Sequence, residues 1–346
     1  MKHQTTRYGE IPFYKIGTFG NTADAFISKK LFLEYRTKYS FPKKGDILIS
    51  ASGTIGRAVI YDGKPAYFQD SNIVWIDNDE TLVKNDFLFY AYSNVKWNTE
   101  HTTILRLYND NFKNTLIPLP PLNEQIAIAN ILSGLDRYLC ALDALILKKE
   151  SVKKSLSFEL LSQRKRLKGF NQAWQRVRLG DIANYLTSNL SAEQITQQGK
   201  IKVYDVNNFI GYTDTTFISD KPYISIVKDG SVGRVRILPP KTNILSTMGA
   251  LIANHRTTTE FLFYLLSNFD FKNFTSGSII PHIYFKDYKE KTIFLPPLNE
   301  QIAIANILSA LDNEITSLKN KKRQFENIKK ALNHNLMSAK IRVLKK

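Results

Sequence analysis

The sequence predicts an α+β protein in which two globular domains are joined by two long antiparallel coiled-coil helices, with an internal pseudo-two-fold symmetry. Three observations carry that expectation. The segment LPPLNEQIAIANILS stands at residues 119–133 and again, unchanged, at 295–309. Both copies run on into apolar residues spaced alternately three and four apart, the signature of a coiled-coil seam. The stretches between the copies share a sparser skeleton. A repeat of this kind has to be recognised before single elements are read, because it sets the architecture.

In chain order, the repeat predicts a first globular domain at 1–118 and a central helix at 119–170. A second globular domain follows at 171–294, then a C-terminal helix at 295–346. The prolines Pro120-Pro121 and Pro296-Pro297 end the preceding chain. Asn123 and Asn299 are then expected as N-caps, with Glu124 and Glu300 in the first turn, where the helix dipole favours a carboxylate. The first seam reads Leu132, Leu135, Leu139, Leu142, Ile146, Lys149, Lys153, Leu156, Leu160. The second reads Leu308, Leu311, Ile315, Leu318, Lys322, Phe325, Lys329, Leu332, Leu336. Lysines interrupt both seams near their middles. Each helix is expected to extend about 65–70 Å at ~1.5 Å per residue.

The globular domains repeat as traces. GEIPFYKIGTFGNTAD (9–24) parallels GKIKVYDVNNFIGYTD (199–214), SGTIGR (52–57) parallels DGSVGR (229–234), and DFLFYAYSN (86–94) parallels EFLFYLLSN (260–268). The offsets of 190, 177 and 174 mark insertions, whereas the helices keep one offset of 176. A fixed spacer between diversified heads points to the reading of two different things a set distance apart. The heads also begin differently. WQRVRLGDI (174–182) and some fifteen further residues precede Gly199, but only eight residues precede Gly9. About twenty residues of the second head, expected as a strand and a helix, have no counterpart in the first.

Charge narrows the class of partner. The 48 Lys+Arg and 31 Asp+Glu leave +17, which suits a polyanion. Residues 119–170 and 295–346 carry +4 and +6 of that excess, the two heads +3 and +4. The apolar fraction of 43 % is that of a globular chain, no apolar run reaches the ~18–20 residues of a membrane span, and a cytoplasmic location is expected. The single cysteine, Cys140, makes no internal disulfide and is expected as a small buried side chain.

The doubled PLPPLNEQIAIANILSGLD and FLPPLNEQIAIANILSALD segments resemble the conserved region of specificity (S) subunits of type I restriction-modification systems. The Gly-Ser/Thr-Ile/Val-Gly-Arg turns, the Phe-Leu-Phe-Tyr helices and WQRVRLGDI also resemble that family's target-recognition domains, so the likeness covers essentially the whole chain. It implies a non-catalytic, sequence-specific DNA-binding subunit. Its two recognition domains would read the halves of a split target in double-stranded DNA, and the helical pair would set the gap. Two methyltransferase subunits would dock on it and restriction subunits would complete the complex. S-adenosylmethionine and ATP would belong to those partners. The short start of the first head departs from the pattern and puts bipartite recognition at issue.

Phosphates attract Lys and Arg, and base edges are read by Arg, Asn, Gln and Ser. Arg57 and Arg234 close the glycine turns at matched places, where each serves either to reach a phosphate or guanine or to cap its own turn. Lys43, Lys44, Arg106 and Arg236 are further candidates, with Ser278, His282 and Lys286 in the TSGSIIPHIYFKDY stretch. For methyltransferase docking the copied Asn123, Glu124, Gln125, Asn299, Glu300 and Gln301 offer identical surfaces to identical subunits; the same identity would also follow from packing of each helix start on its own head. The helical cations, such as Lys149, Lys153, Arg166, Lys322 and Lys329, either line a DNA channel, meet an acidic partner or form a solvated face.

Catalytic chemistry is not written in the chain. No GxxxxGK[ST] loop occurs, and no glycine-rich loop is joined to an Asn-Pro-Pro-Tyr step. The histidines His3, His101, His255, His282 and His334 stand far apart, and one cysteine makes no zinc cluster. Asp77, Asp79 and Glu80 read as a solvated loop. No catalytic residue, metal site or resident cofactor is expected.

Overall fold

The computed structural model describes residues 4–68, 72–97 and 106–344. The chain divides into two compact units, residues 1–143 with 320–346, and residues 144–319. Each unit therefore holds one head, the start of the long helix that follows it, and the end of the other long helix.

In the first unit, strand Ile11–Tyr14 lies between Ala25–Ile27, antiparallel, and Tyr67–Phe68, parallel. A second sheet centres on Ile47–Ser50, flanked antiparallel by Ala58–Ile60 and Ile73–Trp75. The second unit repeats both patterns. Ile201–Tyr204 lies between Phe209–Thr213 and Thr242–Ile244, and Tyr223–Val227 lies between Val235–Leu238 and Met248–Ala253. The helix Lys29–Lys38, capped by the Ser28 hydroxyl, has no counterpart there, and its loss accounts for the fall in offset from 190 to 177.

The residues ahead of Gly199 form strand Gln175–Arg178, a tight turn at Leu179–Asp181, strand Ala183–Thr187 and a second turn at Ala192–Gln194. The expected helix is absent. Leu179, Ile182, Ala183, Leu186 and Leu190 do recur at helical spacing, but the open edge of Met248–Ala253 takes up Ala183–Thr187 as an extended strand. Ala183–Thr187 adds a fourth strand beside Met248–Ala253, and Gln175–Arg178 pairs with Thr292–Leu295. In the first unit, among the described residues, neither addition has an equivalent.

The long helices span Leu122–Leu161 and Leu298–Met337, 40 residues each, or about 60 Å. That is slightly shorter than expected. Both stop at a matched residue in left-handed conformation, Gln163 (φ 61°) and Ala339 (φ 55°). They also start one residue before the asparagines, so Asn123 and Asn299 lie in the first turn and are not the N-caps. The carbonyls of Pro121 and Pro297 already accept the first helical amides, and the asparagine side chains accept instead from Glu124 N and Glu300 N at 2.9 Å.

Within each unit the two helical segments run antiparallel and are cross-linked by charge. In the first unit Glu124 meets Arg342, Asp136 meets Lys329 and Asp143 meets Lys322. In the second, Glu300 meets Arg166, Asp312 meets Lys153, Glu314 meets Lys149 and Glu150 meets Lys319. The lysines that interrupt the seam are therefore its rungs. One rung has diverged: Tyr138 packs on Phe325 at 4.7 Å where Glu314 and Lys149 form an ion pair. Cys140 is exposed, contrary to expectation, because it falls between seam positions Leu139 and Leu142 and points away from both. Among the described residues no helix is long and apolar enough to cross a membrane.

Candidate nucleic-acid interface

Each head presents a glycine turn between two antiparallel strands, Ser52–Arg57 and Asp229–Arg234. The second glycine of each turn has φ near 80°, and a Cβ there would strike an aromatic ring, Trp97 at Gly56 and Phe271 at Gly233. Only glycine satisfies both constraints. Opposite each turn a second segment docks by matched bridges: Ser52 with Arg106, and Asp229 with His282. Leu107 N donates to Ala51 O at 2.8 Å and Ile283 N to Lys228 O at 2.9 Å. RLYNDNF (106–112) and HIYFKDY (282–288) are therefore equivalent, a match the sequence shows only in part.

The second head assembles the fuller cluster. Its hairpin of Thr275–Ser276 and His282–Ile283 projects beside the turn, tied by Gly230 N to Pro281 O at 2.9 Å. His282 Nδ1 lies 2.6 Å from Asp229 Oδ1. Ser278 and Ile279 stand at the hairpin tip, Ile279 92 % exposed, and Lys286 lies over the Tyr284 ring at 5.5 Å. Arg234 is exposed at the end of the turn. In the first head, His101 and residues 102–105, which precede Arg106 in sequence, lie outside the described residues, as does His3.

Other candidates have partners within their own head. Arg57 donates from Nη1 to Phe19 O at 3.0 Å and so ties its turn to the segment before Ala25–Ile27. Arg236 donates to Asn207 O at 2.8 Å and stacks over Tyr204. Lys43 pairs with Asp77 at 3.0 Å on the surface, and the stem of Lys44 covers Gly63. Arg106 lies over the Tyr108 ring at 5.9 Å. Asp229 and Ser52, the first residues of the turns, face His282 and Arg106 and were not singled out from sequence, although their offset of 177 is that of the turns.

The copied helix starts need a correction. Glu124, Gln125, Glu300 and Gln301 are buried, so their side chains offer no docking surface. Gln301 spans the head: Nε2 donates to Pro296 O and Arg256 O, and Oε1 accepts from Thr258 N. Gln125 does the same with Pro120 O, Leu82 O and Lys84 N. Glu300 accepts from Arg166 and from Trp174 Nε1, the latter at 2.9 Å. Glu124 accepts from Arg342, whose guanidinium holds this carboxyl below the usual range. Farther along, Tyr90 donates to Asp136 at 2.7 Å and Tyr264 to Asp312 at 2.8 Å, each beneath a lysine; burial, then the carboxylate, pushes both phenols up. What the copies expose is Leu122, Asn123 and Ile126, repeated as Leu298, Asn299 and Ile302.

Among the described residues no group of His, Cys, Asp and Glu is placed to hold a metal ion. Comparison with known proteins agrees with the duplicated plan. Residues 1–150 and 171–327 match the model of the type I restriction modification DNA specificity domain. A putative type I restriction enzyme specificity subunit of Haemophilus influenzae is 65 % identical over 133 residues, 38 % of this chain and 34 % of that protein, so the chain spans about a third of that relative's length. The putative MjaX specificity subunit of Methanocaldococcus jannaschii is 28 % identical over 335 residues, 86 % of this chain and 79 % of that protein. The crystal structure of a type I restriction-modification S subunit from M. genitalium shares the fold, with a TM-score of 0.62 at 21 % identity over 97 % of this chain and 91 % of that one.

Proposed function

The chain belongs to the type I restriction modification DNA specificity family, and we propose that each head reads one half of a split target in double-stranded DNA. The observation that carries this reading is the repeated presentation, in both heads, of a glycine-fixed turn bridged to a second segment at matched positions. In the second head, the exposed Arg234, Ser278 and Lys286 with His282 supply both kinds of contact, cations for phosphates and hydrogen-bonding groups for base edges. The equal length of the two long helices fixes the gap between the half-sites. Two methyltransferase subunits dock on the exposed copies Leu122-Asn123-Ile126 and Leu298-Asn299-Ile302, with restriction subunits joining for cleavage. The chain itself contributes no catalytic group; S-adenosylmethionine and ATP act on the partner subunits, in the cytoplasm.

The test is a map of methylated adenines on genomic DNA after co-expression with the cognate methyltransferase. A split motif with two specified halves is the expected result. A motif with one specified half would assign reading to the second head alone, a variant favoured by the commitment of Arg57 to Phe19. A stable complex that methylates no defined motif overturns the reading.

A further inference from the structure

The two heads differ in what fills the cleft between their paired sheets. By strand register Val59, opposite Leu48, is the counterpart of Arg236, opposite Ser225. Tyr14, beside Phe68, is likewise the counterpart of Tyr204, beside Ile244. In the second head the Arg236 guanidinium lies 5.3 Å over the Tyr204 ring and donates to Asn207 O at 2.8 Å. In the first head the shorter Val59 leaves a cavity of 610 Å³, walled by Tyr14, Phe19, Tyr61 and Phe68. The aromatic wall is already assembled. Tyr14 stacks on Phe68 at 5.7 Å, Tyr61 meets Phe68 edge-on at 5.8 Å, and the Tyr61 hydroxyl is held by Lys64 O at 2.6 Å. Two exposed carboxylates, Glu10 and Asp62, line the same cavity. Among the described lining residues Lys64 is the one cation, and it is paired with Asp62 at 3.3 Å. Arg57, whose guanidinium reaches Phe19 O, does not line it.

We propose that this cleft is a binding site for a small guanidinium compound of about the size of arginine. The guanidinium takes the place over Tyr14 that Arg236 takes over Tyr204, where the ring faces attract a cation. The cavity is larger than a guanidinium alone and within the range of small-molecule sites, so the aliphatic body of the ligand is housed with it. Glu10 and Asp62 favour a cation and repel a phosphate or other anion. The occupant is identified by the second head, where the matched cleft holds a guanidinium of the chain's own. This inference goes beyond the DNA reading and does not depend on it.

Calorimetric titration of the full chain with arginine, and with citrulline as its uncharged isostere, tests it. Saturable one-to-one binding of arginine is expected, because Arg236 already fills the matched cleft. Citrulline should bind roughly tenfold more weakly or not at all, as loss of the charge over the rings requires. Val59→Arg gives the first head the arrangement of the second and should abolish arginine binding, with the unfolding temperature retained. Tyr14→Leu, which removes the ring and keeps an apolar wall, should weaken binding roughly tenfold and serves as the second variant if Val59→Arg does not fold. No binding of arginine at millimolar concentration, or equal affinity for citrulline, overturns the proposal. So does arginine binding that both substitutions leave unchanged.

Discussion

The two units share a plan but not a degree of closure. In the second, Trp174, Leu179 and Ile182 knit the sheet, the Phe-Leu-Phe-Tyr helix and the long helices into one core. In the first, the helix Asn85–Tyr92 contributes to two separate clusters, one with Ile128, Leu132 and Leu336, the other with Ile47 and Ile49. Identity between the halves is strictest where each residue has the same partner twice, at Gln125 and Gln301 or Asp136 and Asp312. Divergence falls on the turn and the segment opposite it, where Ser52 and Arg106 replace Asp229 and His282. The duplicated part carries the scaffold and, on the proposed reading, the varied part carries what differs between the half-sites.

The sharpest break of this comparison is Trp174→Ala, which should destabilise the second unit by about 3–5 kcal/mol, as truncating a buried tryptophan does. Arg166→Met, which strands the buried Glu300, should cost about 3 kcal/mol in the same unit. Arg342→Met, at a half-exposed arginine, should cost distinctly less in the first. Native-state hydrogen exchange, read unit by unit across a urea series, checks all three. Gly233→Ala should follow, at roughly 1–2 kcal/mol for the left-handed backbone plus whatever displacement of Phe271 adds; thermal unfolding measures it.

A smaller contrast concerns the matched arginines. Arg234→Ala should weaken DNA binding by the assembled complex about tenfold and lower its salt dependence by about one ion, without changing stability. Arg57→Ala should lower first-unit stability by about 1 kcal/mol, the worth of one hydrogen bond. Salt-series binding curves beside melting curves separate the two outcomes. The smallest effect is alkaline. Burial pushes the Tyr223 phenol from 10.0 up to about 12, and its hydroxyl bonds Thr242. A raised folded value means that its contribution is complete below pH 10 and is lost as pH rises toward 12. Circular dichroism of Tyr223→Phe should show a shallower loss over that window than the unaltered chain.

The repeat made the architecture legible, because a fixed offset and a three-four spacing report helix length and pairing without coordinates. The equivalence of the heads was legible at three anchors, where glycine and aromatic residues cannot change. Burial at the helix start was legible only as one of two alternatives. Asn-Glu-Gln reads as an exposed polar surface until the partners arrive, and Arg166, Trp174 and Arg342 lie 134, 126 and 218 positions away from the carboxylates they meet. Likewise, Arg57 and Arg234 are indistinguishable in sequence; a carbonyl of Phe19, brought close only by the fold, gives one of them a partner.

The division of the chain also sets an order of assembly during synthesis. Residues 144–319 are contiguous, so the second unit has all its parts as soon as that stretch leaves the ribosome. The first unit needs residues 320–346, among them Leu336 and Met337, to cover Ile128 and Leu132. At ~5–20 residues per second, those side chains wait roughly 10–40 s for their partners. The head made first is thus completed last, and during that interval its apolar helix face is the surface most in need of a chaperone.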